Sequence, residues 1–187
     1  MVLKLTIRAD ASSTVQLARR VAAANRAPLL TAMGVYMEAS VNQNFAAEGQ
    51  RDPDPALHPD LEPGVWARNS AFTLALKGPR PVLLDSGILR ASINHFSNGK
   101  DAVSVGTNVR YGRTHQEGAT IAESRVIPIK AHAQRAVGRM LGVKRAKFVT
   151  IKAGTAIPRR PFVLFQRGDV AALAEIAARW VERSVRA

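Results

Sequence analysis

A chain of 187 residues, 47% of them hydrophobic, has enough apolar material for a packed core, which excludes wholesale disorder and fits one domain. It has no cysteine, so disulfides and cysteine-based metal sites are excluded. The net charge of +13 is unevenly spread: between Ala122 and Arg167 eleven Lys/Arg face the single acid Glu123, whereas Glu48 to Glu62 holds five acids and one base, Arg51.

Val2 to Ile7 alternates polar and apolar residues and predicts a first strand with one apolar face. The apolar run before Arg8 and Asp10 is too short for a signal-peptide core, and no run approaches the ~20 apolar residues of a membrane span. A soluble protein with no membrane partner is expected. Ser12 or Ser13 is placed to cap a helix through about Asn25, with Val15, Ala18, Val21 and Ala22 on its apolar stripe. Pro28 then suits the first turn of a second helix, 28 to 47. Leu29, Leu30, Met33, Tyr36, Met37, Val41 and Phe45 recur along it at steps of three and four.

Four prolines between Gly49 and Gly64 (Pro53, Pro55, Pro59 and Pro63) argue against regular structure, and the interleaved acids predict a solvated acidic loop over 48–64. Trp66 is placed to pin that loop to the core. Val65 to Lys77 reads as either a short helix or an extended segment, and Gly78-Pro79-Arg80-Pro81 breaks the chain after it.

From Leu83 to Ala119 the chain is densely patterned. Asp85-Ser86-Gly87 offers capping chemistry before Ile88-Leu89. Asn98-Gly99 is a hairpin signal between Ile93-Phe96 and the alternating Val103-Ser104-Val105-Gly106, which puts Val103 and Val105 on one face. Thr107-Asn108 ends that strand, and Tyr111, Gly112, His115, Gln116 and Gly118 form a turn or short helix. Beyond it, Val126 to Ile129 and Phe148 to Ile151 predict two short strands. Ala131 to Leu141, ended by Gly142, has helical composition between them. Asp169 is placed as the N-cap of a last helix reaching about Val185, with Val170, Leu173, Ile176, Ala177, Trp180 and Val181 as its apolar face.

Catalysis requires clustered, tunable groups, and the pattern supplies none. His115 and Glu117 are two apart, on different faces of any helix, and the zinc-protease spacing of two histidines is missing. A structural His115, bonded to backbone in a turn, is the expectation. Asp85-Ser86-Gly87 lacks the frame of a nucleophile turn and reads as a helix cap. Gly106-Thr107-Asn108 lacks the Lys of a phosphate loop. Asp52, Asp54 and Asp60 are loosely spaced like metal ligands, but no calcium-loop offsets accompany them. No enzyme, cofactor or metal is expected. The basic segment is the stronger candidate. Lys130, Arg135, Arg139, Lys144, Arg145, Lys147 and Lys152 suit either phosphates or an acidic neighbouring subunit. Phe148 is the only aromatic before Phe162, so any nucleic-acid contact would be to the backbone and independent of sequence.

Three blocks, in order, carry a resemblance. Leu83 to Ile93 reads Leu-x-Asp-Ser-Gly-x-Leu-x-x-Ser-Ile and includes Asp85, Ser86, Gly87 and Leu89. Val105-Gly106-Thr107-Asn108 follows, with Tyr111, His115, Gln116 and Gly118. The third block is Ile157-Pro158-Arg159-Arg160-Pro161-Phe162. The order is similar to that of the virion-morphogenesis, or tail-completion, family of Mu-like phages and prophages. Gly112, Glu117 and Ala119 depart from the family's usual Ala, apolar residue and Gly. About 36 residues separate Ile121 from the third block where the family usually passes quickly, an inserted basic arm over 122–156.

The residues predict an α+β fold: a small antiparallel sheet around 91–106 packed by two N-terminal helices and a C-terminal helix. The resemblance implies a non-enzymatic structural protein of tail completion or head–tail joining, found in the virion at the tail or neck and in host cytoplasm during assembly. It implies a ring homo-oligomer that contacts other tail or neck proteins. The acidic loop and basic arm would lie on the ring's two complementary faces, or the arm would line a channel carrying DNA. The alternative is a sequence-independent nucleic-acid-binding protein using segment 125–152.

Overall fold

The computed structural model describes residues 11–186, apart from the side chains of 11–14 and 17. The strand expected over Val2 to Ile7 lies outside them. Helix α1 spans Ala11–Ala23 and includes Ser12 and Ser13, so neither is a residue flanking the helix as expected. Helix α2 spans Ala27–Ala47, with Pro28 in its first turn, and buries Leu30, Met37, Val41 and Phe45. Its polar Ser40 and Asn44 are buried too.

The acidic segment is tied down at both ends. Strands β1 (Gly49–Gln50) and β2 (Gly64–Val65) pair antiparallel. Pro53 bridges Gln166 between them, and Asp54 N donates to Phe165 O at 3.0 Å. Trp66 is the expected anchor: it is buried, donates from Nε1 to Pro161 O at 3.0 Å, and meets Phe45 edge-on at 5.7 Å. Helix α3 (Ala71–Lys77) resolves the helix-or-extended choice, because Ser70 accepts from Thr73 N and caps it.

Helix α4 (Ile88–Ala91) starts differently from the expectation. Its N-cap is Gly87 in the left-handed region (φ 78°), with no side-chain cap, while Asp85 pairs with Arg80 at 3.3 Å. A glycine reaches that backbone without a Cβ penalty, so conformation replaces the hydrogen bond at this helix start. The hairpin follows as expected: β3 (Asn94–Ser97) pairs with β4 (Val103–Gly106), and Asn98 Oδ1 accepts from the backbone N of Lys100, Asp101 and Ala102. Its inner face, His95 and Val105, lies on α2, where Glu38 accepts from His95 Nδ1 at 2.9 Å.

Helix α5 (Arg110–Glu117) leads into β5 (Ala119–Thr120), β6 (Arg125–Pro128), helix α6 (Gln134–Met140), β7 (Phe148–Ile151) and β8 (Ala156–Ile157). The pairs β5–β8 and β6–β7 keep one register through the Ile121 N to Thr155 O bond, so together they form one antiparallel ribbon. Helix α7 spans Arg167–Arg186. Asp169 lies inside its first turn instead of capping it: Oδ2 accepts from Gln166 N at 2.8 Å, the returning half of a capping box. Trp180 is buried and Leu173, Ile176 and Ala177 half-buried, but Val170 and Val181 of the expected apolar face are exposed. The fold is α+β, with seven helices and four two-stranded antiparallel sheets among the described residues.

Two apolar clusters hold it. The larger joins Val41, Phe45, Trp66, Val82, Leu89, Ile93 and Phe162. The second joins Ile129, Ala133, Val137 and Ala146 of the arm with Phe72, Ala75 and Leu76 of α3.

Candidate functional site

The three patterned blocks meet around one side chain. Phe162 is 1% exposed and lies 5.3 Å from the Phe45 ring. The segment carrying it has no strand partner among the described residues, and side chains serve its backbone groups instead. Gln116 supplies three: Oε1 accepts from Phe162 N and Val163 N, each at 3.0 Å, and Nε2 donates to Val163 O at 2.9 Å. Asn44 donates to Phe162 O at 3.0 Å.

Gly112 is the close-packing point between the blocks. A Cβ there would lie 2.7 Å from Thr107 Cγ2, 3.4 Å from Leu89 Cδ1 and 3.7 Å from Phe162 Cζ. Thr107 is held in place, since its Oγ1 accepts from Val109 N and lies 2.6 Å from Ser92 Oγ. Gly118 has φ 76°, and a Cβ there would crowd Arg159 N at 3.1 Å. Pro161 is buried; Pro158, Asn108 and Ser86 are exposed, and Gly106 closes the hairpin. Arg160 is 6% exposed and donates to the carbonyls of Ala67 at 2.9 Å and Arg68 at 3.3 Å. Burial lowers its pKa from the ordinary value.

His115 departs from its expected role. It sits on α5 with Tyr111 edge-on at 6.1 Å, and its buried Nδ1 has no hydrogen-bond partner among the described residues. Its backbone O accepts from Arg160 N at 2.7 Å, and the side-chain bonding to backbone falls to Gln116 instead. Burial, then the neighbouring Arg160 and Lys77 charges, hold its pKa below the usual imidazole value.

The basic residues are brought together on the arm. Lys130, Arg135, Arg139, Lys144, Arg145, Lys147 and Lys152 are all exposed, and none makes an ion pair among the described residues. Arg145 donates to Gln134 at 2.9 Å. The arm is folded: its apolar side closes on α3, and His132 Nε2 lies 3.3 Å from Leu76 O. The acidic loop is partly engaged within the chain. Asp60 pairs with Arg159, Asp52 with Arg167 at 3.7 Å, and Glu48 accepts from Val82 N.

A family model described as the phage virion morphogenesis family matches residues 10–182. The chain belongs to that family. The matched span includes α1 and all three patterned blocks. No curated protein and no solved structure matches the chain. Membership makes it a structural phage protein associated with the virion, and no described helix is long and apolar enough to cross a membrane.

Sequence reasoning missed a buried polar hub that joins the packing around Phe162 to α7. Asp169, 2% exposed, accepts from Ser40 Oγ at 2.9 Å and Tyr36 OH at 3.0 Å. Tyr36's own burial, then its hydrogen bond to Asp169 and that residue's charge, raise the Tyr36 pKa. Asn44 Oδ1 accepts from Gln166 Nε2 at 2.9 Å and Arg51 Nε at 3.3 Å. The signal was legible: Tyr36, Ser40 and Asn44 stand four apart along the buried stripe of α2, where apolar residues belong.

Proposed function

We propose that this protein completes the tail or joins head to tail, acting as a closed ring at the neck or tail end of the particle. Family membership supplies the setting of virion assembly. The observation that carries the ring is the arm: a folded ribbon with its own apolar cluster presents seven exposed cations that make no ion pair among the described residues. A closed ring repeats one heterologous contact, so each subunit needs a projecting element and a receiving one. An element already folded in the free subunit loses little entropy on docking.

The purified protein should sediment as a species of defined subunit number at micromolar concentration, with ring-shaped particles by electron microscopy. A monomer at every concentration, with or without the other tail proteins, overturns this reading.

A further inference from the structure

We infer that the outward face of the arm docks on the acidic 48–62 loop of a second copy of this chain. The inference rests on the ring reading and names the contact that would close it. Register decides what the arm shows to solvent. Val126 pairs with Thr150 and Pro128 with Phe148, so these four share one ribbon face, and all are exposed. Val126 is 64% and Phe148 61% exposed, while Ile127 and Val149 point the other way, Val149 onto the arm's apolar cluster. At the tip, Met140, Leu141 and Val143 are about half exposed and flanked by Arg139, Lys144 and Arg145. The face is therefore mixed, apolar residues set among cations.

That mixture selects the class of partner. Phosphate backbones need only the cations and leave Val126 and Phe148 in water. A protein surface carrying acids beside apolar residues satisfies both. The 48–62 loop of this chain has that composition, with Asp54, Asp60 and Glu62 around exposed Leu57, Pro55 and Pro59. Asp54 and Glu62 make no ion pair among the described residues. The Asp60–Arg159 and Asp52–Arg167 pairs leave their carboxylates 59% and 51% exposed, and such pairs barely discharge the loop. Within one chain the loop is held by Gln166 and its neighbours and the arm by α3, and no ion pair or hydrogen bond joins the two. The next copy offers each its complement.

The test reverses charge on each surface and then on both. One variant carries Lys144→Glu, Arg145→Glu and Lys147→Glu; another carries Asp54→Lys and Glu62→Lys; a third combines all five. Circular dichroism and unfolding temperature first establish that each is folded. By sedimentation, either single-surface variant should assemble with a dissociation constant raised roughly tenfold or more, and the combined variant should recover assembly. Phe148→Ser should weaken assembly with its charge intact. Wild-type assembly that survives the arm reversal overturns this contact and leaves the ring reading standing. So does assembly lost on arm reversal and not recovered in the combined variant, which assigns the arm to a different surface of the second copy. Assembly that requires added duplex DNA overturns it as well. A monomeric wild type removes both readings together.

Discussion

At the scale of single residues, Gln116 does with one side chain what a neighbouring strand would otherwise do. It satisfies three backbone groups of Phe162 and Val163, forty-six and forty-seven residues away. Removing one partner of a buried hydrogen bond strands the other, at about 1–3 kcal/mol for each group left unsatisfied. Gln116→Ala should therefore cost about 3 kcal/mol or more in urea unfolding, whereas Glu117→Ala, which loses only an exposed i,i+4 pair with Arg113, should change little. His115 supplies a pH dependence. Its folded pKa lies below the ordinary 6.5, so the unfolded chain binds the proton more readily. Its contribution is present in full above pH 6.5 and is lost as pH falls from there through the folded value. Unfolding curves from pH 8 to 5 should show stability falling on the acid side, and His115→Gln should flatten that part of the profile. A wild-type slope unchanged by the substitution would assign the titration to another group.

At the scale of elements, helix ends were harder to place than helix bodies. The apolar spacing of α2 and the Asn98-Gly99 hairpin are local signals, and both formed where the pattern put them. The starts of α4 and α7 each had a plausible capping residue, and a different device took the role. Gly87 adopts a left-handed backbone that dispenses with the Asp85 or Ser86 side chain, which leaves Asp85 free for Arg80. Asp169 acts from inside the helix and is buried because α2 brings Ser40 and Tyr36 to it. The arm's strand–helix–strand order was likewise readable, but its packing against α3 was not. That packing makes a local prediction. A Cβ at Gly138 would lie 2.7 Å from Val143 O and 2.9 Å from Arg145 Cα, both backbone atoms that move only with the tip. Alanine's better helix propensity is worth about 1 kcal/mol, and overpacking against backbone costs about 1–3 kcal/mol, so the clash wins. Gly138→Ala should speed hydrogen exchange in α6 and β7 while the amides of α2 keep their protection. Loss of protection in both regions together would mean that the arm and the main cluster unfold as one unit.

At the scale of the whole molecule, the chain divides its labour between a buried knot and a projecting ribbon. The knot gathers the three patterned blocks at Phe162 and Gly112. The ribbon is anchored by the second cluster, and its eight Lys/Arg against Glu123 give 122–156 a net +7 of the chain's +13. The sequence by itself determined the α+β class, the hairpin, the long second helix, the charge asymmetry and the family, because each rests on periodicity, turn chemistry or short ordered motifs that neighbouring residues specify. Only the tertiary structure decided that Gln116 braces Phe162, that Asp169 is a buried hub, that part of the acidic loop is engaged within the chain, and that Val126 and Phe148 face solvent together. Those outcomes depend on which segments meet across dozens of residues and on strand register, and a one-residue change of register exchanges the faces of a strand.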